Sequence, residues 1–377
     1  MASIHVAHLV YSFSTGGLEN VVTQLINGLP HGRFRHSLIT VSRVDPQYLQ
    51  RITRSDVEVH EMNKGPGQPF KLYPRMRRLL SELRPDVLHS CNMAALDFVP
   101  AAAWAGVQHR VHAEHGWSVD DPGGHNRKLQ RMRRFYRPWV HDYVAVSDQL
   151  QTYLQQRIGV PAGRVHLIEN GVDLERFRPA TAEERQCLPE SFPFDPQQHC
   201  IVGTVGRLEA VKHHRLLLDA LARARREGGA AGERLRLVMV GDGPLRQELD
   251  QQVQRLGLTG RVWMAGNRQD VPVLLRAMHV FVLCSLAEGT SCALQEALGT
   301  GLYTVATDVG GNRKLLDDGR LGRLIGSGDE AALAQALLVH SAGNAPPFHE
   351  PARGHAEQHL SVQAALDRYA VLFASRC

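Results

Sequence analysis

The sequence predicts an α/β protein built as two doubly wound, Rossmann-like domains. Three observations carry this expectation. Short β-rich apolar runs alternate with amphipathic helical stretches from end to end, the pattern of βαβ units around a parallel sheet. The 377 residues exceed what one ordinary core organises. A proline-rich polar stretch interrupts the rhythm near the middle, as a linker would.

In order along the chain, strands are expected at 4–10, 36–41, 86–89, 109–113 and 142–146. Helices are expected between them near 18–29, 70–83, 94–104, 125–137 and 148–158. The segment from Arg178-Pro179 to His199 carries Pro179, Pro189, Pro193 and Pro196 among polar residues and reads as the linker. Beyond it, strands are expected at 201–205, 235–240, 261–264, 280–284 and 303–307, with helices beginning near Lys212, Pro244, Val271 and Ser291. The tail from His355 to Ser375 reads as a closing helix. The expected division is therefore 1–178, a linker 179–199, 200–354, and a C-terminal helix 355–377 packing back towards the first domain. Ligands of open α/β sheets bind at strand carboxyl ends, so a crevice shared by the two halves is the expected site.

Composition narrows the class. Hydrophobic residues at 43% and charged residues at 21% exclude disordered, collagenous and coiled-coil chains. No solenoid or propeller repeat appears. The net charge of +5 is unevenly placed, with 22 basic against 16 acidic residues over 1–180 and 21 against 22 over 181–377. The excess on the N-terminal half reads either as the ordinary charge of a soluble surface or as the footprint of an anionic partner, a membrane surface, nucleic acid or phosphate. Cys91, Cys187, Cys200, Cys284, Cys292 and Cys377 show no C-x-x-C pairing and no metal-ligand spacing with the 20 histidines, which fits a reduced, cytosolic setting. Ile4–Val10 lacks a basic leader and is broken by histidines, so it reads as a strand and not a signal peptide. No apolar run is long enough for a spanning helix.

Several strand-to-helix turns carry candidate chemistry. Gly16 and Gly17 end the first strand and open a helix, where backbone amides and the helix dipole favour phosphate. Gly206-Arg207 and Lys212 follow a strand end with two cations of complementary geometry, a planar fork and a compact ammonium, suited to a diphosphate that gains charge as it leaves. Val240-Gly241-Asp242-Gly243-Pro244 repeats the strand–glycine–helix pattern and reads as fold punctuation. The stretch from Ser285 to Ala297 places Glu288 and Gly289 on a loop and Glu296 two turns along a helix that Ser291 caps. Two such carboxylates accept hydrogen bonds from several hydroxyls, as a sugar and a ribose present. His115, after the strand Val111-His112-Ala113, offers an imidazole at a strand end. Asn170 and Asp173 belong either to a bare turn or to a polar cleft loop. Arg127 to Trp139 interleaves six cations with aromatic residues, either a helix with one wet face or a segment lying on an anionic bilayer. No D-x-D, P-loop or G-x-S-x-G pattern is present.

Taken together, Gly16-Gly17-x-Glu19, His115-Gly116-Trp117, Asn170-Gly171-Val172-Asp173, Gly206-Arg207-Leu208 with Lys212, Gly241-Asp242-Gly243-Pro244, Glu288-x7-Glu296 and Val309-Gly310-Gly311 resemble, in family order, the retaining glycosyltransferases of family four. The closer flavour is that of sugar transferases associated with exosortase and exopolysaccharide gene clusters. The resemblance implies a GT-B fold with an interdomain cleft. It implies transfer of a hexose from a UDP- or GDP-sugar to a polysaccharide or lipid-linked acceptor, with retention and with no metal or other cofactor. Arg207 and Lys212, helped by the Gly16 and Gly17 amides, would stabilise the leaving diphosphate. Glu296 would hold the ribose and Glu288 the donor sugar, Gly289 and Ser291 would belong to the donor site, and His115 would contact the sugar, while the N-terminal domain takes the acceptor. The expected location is cytoplasmic, peripheral on the inner membrane face, with no nucleic-acid partner. An epimerase of nucleotide sugars and a silent sugar-nucleotide sensor share the fold; the intact Arg207, Lys212, Glu288 and Glu296 argue against the sensor. Three positions depart from the family pattern: Tyr303-Thr304 replaces Pro-Val, Arg313-Lys314 replaces Pro-Glu, and His213 replaces a glycine.

Overall fold

The computed structural model describes residues 3–65, 69–117, 121, 123–181, 183–184, 188–344 and 349–376. Cys187, Cys377 and part of the expected linker fall outside these. The chain forms two compact units, Met1–Asn170 with Gln363–Cys377, and Gly171–Val362.

The first unit is a seven-stranded sheet ordered β3-β2-β1-β4-β5-β6-β7, formed by Ile4–Val10 (β1), Phe34–Thr40 (β2), Glu58–Glu61 (β3), Val87–Cys91 (β4), His109–Glu114 (β5), Asp142–Ala145 (β6) and Val165–Leu167 (β7). The second is a six-stranded sheet ordered β10-β9-β8-β11-β12-β13, formed by Cys200–Val205 (β8), Leu235–Val240 (β9), Val262–Gly266 (β10), Val280–Leu283 (β11), Tyr303–Thr307 (β12) and Gly322–Ile325 (β13). Every neighbouring pair of these strands runs parallel. The doubly wound α/β expectation is met in both units.

Three strands were not anticipated, namely β3, β7 and β13. All are sheet edges of three or four residues, and β3 is exposed or half-buried throughout, so none carries an apolar run to betray it. The helix expected at 94–104 is two, Asn92–Leu96 and Val99–Trp104.

The closing helix is also two, Glu350–His359 and Val362–Ala374. Val172 breaks it: its amide donates to the Leu360 carbonyl at 2.7 Å, and the Val362 amide donates back to Val172 at 3.1 Å. A side chain at Gly171 would strike the Val362 backbone, so only glycine permits this approach. The units accordingly divide at Asn170–Gly171, ahead of the boundary drawn at 178/179. The linker segment belongs to the second unit, where Glu184 accepts from Arg178 at 2.8 Å and Arg276 at 3.1 Å, and Phe192 packs on Trp263.

The cationic stretch forms the helix Arg127–Tyr136, capped by Asn126 Oδ1, which accepts from the Lys128 and Leu129 amides. The five cations of this helix are not equivalent. Arg133 is buried and grips Glu114, Nε to Oε1 at 2.6 Å and an Nη to Oε2 at 3.2 Å, with the guanidinium over the Tyr153 ring. The expectation that Arg133 serves a membrane face is therefore corrected: it balances a buried carboxylate. Arg127, Lys128, Arg131, Arg134 and Phe135 remain exposed. No helix among the described residues is long and apolar enough to cross a membrane.

Two predictions follow from what is buried. Removing one partner of a buried ion pair leaves the other uncompensated, so Arg133→Gln lowers stability by about 3–5 kcal/mol while Arg131→Gln stays within about 0.5 kcal/mol, measured by urea unfolding. Burial holds His36 down to about 3, and burial followed by the Lys212 charge holds His214 down to about 4. The unfolded chain protonates both near 6.5. Their contribution is thus complete above that pH and is lost as pH falls towards the folded values, at about 1.4 kcal/mol per pH unit for each ring. Unfolding free energy should drop by about 2 kcal/mol or more between about pH 7.5 and about pH 5.5, and less so in a His36→Gln variant.

Candidate active site

In the second unit the chemistry-bearing residues stand on loops leaving the carboxyl ends of β8 and β11. After β8, Gly206 donates to the Val240 carbonyl at 2.9 Å, Leu208 donates to Asp242 at 2.9 Å, and Leu245 donates back to Leu208 at 3.0 Å. Gly241 is left-handed (φ 129), and a side chain there would run into the Gly206 carbonyl. The Gly241-Asp242-Gly243-Pro244 motif therefore holds the Arg207 loop, in keeping with its reading as punctuation. Arg207 itself is half exposed, one Nη lying 3.1 Å from Glu209 Oε1.

Lys212 ends a single 3-10 turn, Ala210–Lys212, before the helix His214–Glu227. His213 between them is left-handed (φ 50), which accounts for the glycine usual in the resembling family. The Lys212 ammonium meets Glu288 Oε1 at 2.7 Å, and the Ser285 hydroxyl donates to the same oxygen at 2.6 Å. Glu288 is only 9% exposed and Lys212 21%. Their loops are sewn together: Leu286 N–H donates to Val211 at 2.8 Å, and the Cys284 thiol donates to the Lys212 and His213 carbonyls at 3.3 Å.

From the other side, Gly311 donates to the Gly289 carbonyl at 2.9 Å. Gly310 is left-handed, and a side chain there would collide with the Glu288 carbonyl. Ser291 Oγ caps the helix Cys292–Gly299 by accepting from Leu294, so Glu296 lies little more than one turn into it. Sequence reasoning assigned no role to Ser285. Its position three residues before Glu288, directly after a strand, is the signal that would have found it. Of the other departures, Tyr303 packs on His340 with ring centroids 4.1 Å apart, and Arg313 pairs with Asp308 and Asp318 at the surface.

In the first unit, Gly16 is the N-cap of the helix Gly17–Gly28. A side chain there would strike the Glu19 carboxylate, which folds back onto the cap, so the anion-favouring end of this helix is screened by its own acid. His115 follows β5, and its amide donates to Asn92 Oδ1 at 2.8 Å. Both His115 ring nitrogens are shielded and lack a hydrogen-bond partner among the described residues. Burial pulls this ring down to about 4 against the opposing pull of Glu114, so it is a neutral imidazole at neutral pH. Asn170 is buried; Asp173 Oδ1 accepts from the Glu175 and Arg176 amides at 3.1 and 3.0 Å, closing a turn.

Lys212, Glu288 and Ser285 thus form one hydrogen-bonded group, a cation and an acceptor at a partly open strand end. Such a group stabilises an anionic leaving group while holding hydroxyls.

Known proteins share this arrangement of sequence and fold. Residues 15–176 match the model of Glycosyltransferase Family 4, and residues 199–340 that of Glycosyl transferases group 1. The chain is 31% identical to a Bacillus subtilis (strain 168) protein designated glycosyltransferase EpsD, over 73% of each chain. It is 28% identical to the Escherichia coli UDP-Gal:alpha-D-GlcNAc-diphosphoundecaprenol alpha-1,3-galactosyltransferase, over 89% of this chain and 88% of that one. Its fold superposes on the crystal structure of Anabaena HepE in complex with UDP and glucose with a TM-score of 0.81 at 22% identity, over 99% of this chain and 100% of that one.

Proposed function

Since this chain belongs to glycosyltransferase family 4 and is a sugar-transferring enzyme, we propose that it moves a hexose from a UDP- or GDP-sugar to a lipid-linked or polysaccharide acceptor, with retention at the anomeric carbon and no metal at the diphosphate. The Lys212–Glu288–Ser285 contact carries this reading. The Lys212 ammonium has three donors, and Glu288 takes one of them, leaving donors for a phosphate oxygen. As the bond to the anomeric carbon breaks, charge grows on the departing diphosphate. Lys212 and the Arg207 fork meet that charge with fixed donors and supply what a bridging metal would supply elsewhere. Ser285 and Lys212 both bind Glu288 Oε1, which holds the carboxylate in one orientation for the sugar hydroxyls. Glu296 is assigned the ribose. The neutral His115 ring is assigned a hydrogen bond to the donor sugar. The acceptor class is supported by the Escherichia coli relative, whose named acceptor is a sugar on diphosphoundecaprenol.

We also propose that the exposed face of Arg127–Tyr136 rests on the anionic cytoplasmic membrane surface. Arg127, Lys128 and Arg131 offer charge and Phe135, 63% exposed, an apolar contact.

For transfer, Lys212→Ala and Glu288→Gln should each lower kcat by about 100-fold or more with unfolding temperature retained. A wild-type rate in either variant removes that residue from the mechanism. Added chelator should not lower the rate, and a requirement for Mn²⁺ would contradict the metal-free diphosphate site. Thermal shift with UDP-, GDP- and ADP-sugars identifies the base, and epimerised donor formed without acceptor would overturn the transferase reading. For the membrane face, sedimentation with vesicles containing anionic lipid should show binding that a double Arg127→Gln, Arg131→Gln variant weakens by about 10-fold or more, at roughly 1 kcal/mol per cation. Equal binding by the variant would place the contact elsewhere.

A further inference from the structure

A second cluster of reactive side chains stands in the first unit, apart from Lys212 and Glu288. Cys91 ends β4 and His89 precedes it by two residues, so the strand's period of two puts both on one face. β5 lies beside β4 with Cys91 opposite Ala113, and His115 comes two residues beyond that partner. Asn92, itself left-handed (φ 58), receives the His115 amide on Oδ1 and so ties the two strand ends together. One ligand atom from each of His89, Cys91 and His115 lies within 4.8 Å of the others, and Cys91 Sγ stands abreast of the His89 ring, 3.7 Å from Nε2 and 3.8 Å from Nδ1, so an ion on Nε2 requires the Cys91 side chain to turn towards it. A tetrahedral zinc ion with ordinary bond lengths separates a sulfur from a nitrogen by roughly 3.6 Å.

Two further observations point at a ligand. Both nitrogens of His115 are shielded from solvent and partnerless among the described residues, an expense that an ion relieves at the nitrogen it binds. Behind His89 runs a relay of imidazoles. His8 sits opposite His89 in the β1–β4 register, their Nδ1 atoms 3.0 Å apart, and His8 Nε2 lies 3.0 Å from His36 Nδ1. If His89 turns the lone pair of Nε2 to an ion, its Nδ1–H donates to His8 Nδ1 and His8 Nε2–H donates to His36 Nδ1, so both protons shared along the row have acceptors, while His36 Nε2 at its far end has no partner among the described residues. This is the outer-shell support that ligating histidines commonly have. The rings of Tyr369 and Phe373, each 5.5 Å from His89, cover the row.

We propose that His89, Cys91 and His115 bind one soft divalent cation of the zinc class, through His89 Nε2, Cys91 Sγ and a ring nitrogen of His115, with a fourth position open. Thiolate and imidazole select zinc-like ions over magnesium or calcium. The metal–sulfur bond forms as the Cys91 S–H bond breaks, and the proton leaves to solvent, one per ion bound, while the imidazoles bind neutral. Where the transferase reading gives His115 to the donor sugar, ion and donor exclude one another. That consequence rests on the reading above, whereas the binding test uses no donor and is decided separately.

The test is titration of the reduced, chelator-treated full-length protein with Co²⁺. The expected result is a thiolate-to-cobalt charge-transfer band saturating at one equivalent and bleached by Zn²⁺. The band should be absent in Cys91→Ala and kept in Glu288→Gln. No band in the natural sequence, or a band surviving in Cys91→Ala, overturns the proposal. Should Cys91→Ala fail to fold, His115→Ala decides: Co²⁺ affinity should fall by at least the about tenfold that a lost outer-shell partner costs, and an unchanged affinity overturns the site.

Discussion

The constraint on which everything else rests is the parallel register of both sheets. Parallel strands cannot be joined by tight hairpins; each needs a crossover, and crossovers are right-handed, so all strand carboxyl ends of a unit emerge along one edge. That edge is where β8 releases Arg207 and Lys212, β11 releases Ser285 and Glu288, and β12 releases Gly310. In the first unit the same geometry collects Cys91 from β4 and His115 from β5. Loops far apart in sequence become neighbours because their strands are neighbours.

Once collected, those loops are held apart by almost nothing, and glycine is the means. Side chains at Gly241 and Gly310 would each strike a backbone carbonyl of the facing loop, at Gly206 and Glu288 respectively. The consequence is chemical as well as steric. With the backbones this close, the Lys212 ammonium, the Ser285 hydroxyl and the Glu288 carboxylate share one oxygen. Backbone packing sets these contacts, a preorganisation of the kind that the proposed stabilisation of a transient charge requires.

Two of the carboxylate–cation pairs, Glu114–Arg133 and Glu288–Lys212, differ in burial. Glu114 and Arg133 are both nearly inaccessible, doubly bonded, and surrounded by Tyr153 and His112. There the loss of one partner strands the other, and the pair is a structural commitment. Lys212 and Glu288 are partly open, so their contact is exchangeable, as the proposed donor site requires. A cation facing a carboxylate is scaffold in the first unit, and in the second it is open to the exchange that the proposed transfer needs.

The sequence by itself determined the alternation of strands and helices, the presence of two units, and the residues at the strand ends, because burial and turn chemistry write periodicity and glycine into the local sequence. Arg207, Lys212, Glu288 and Ser291 were all legible in that way. What depends on distant partners was not. Lys212 and Glu288 are 76 residues apart, and their contact exists only because the β8 and β11 loops adjoin. Arg133 reads like Arg131 until Glu114 is brought beneath it. The closing helix breaks where Val172 arrives to take its hydrogen bonds. His89, Cys91 and His115 show no ligand spacing along the chain, since strand adjacency supplies the spacing. Local sequence carries the energetics of single elements, and register between elements is a tertiary quantity.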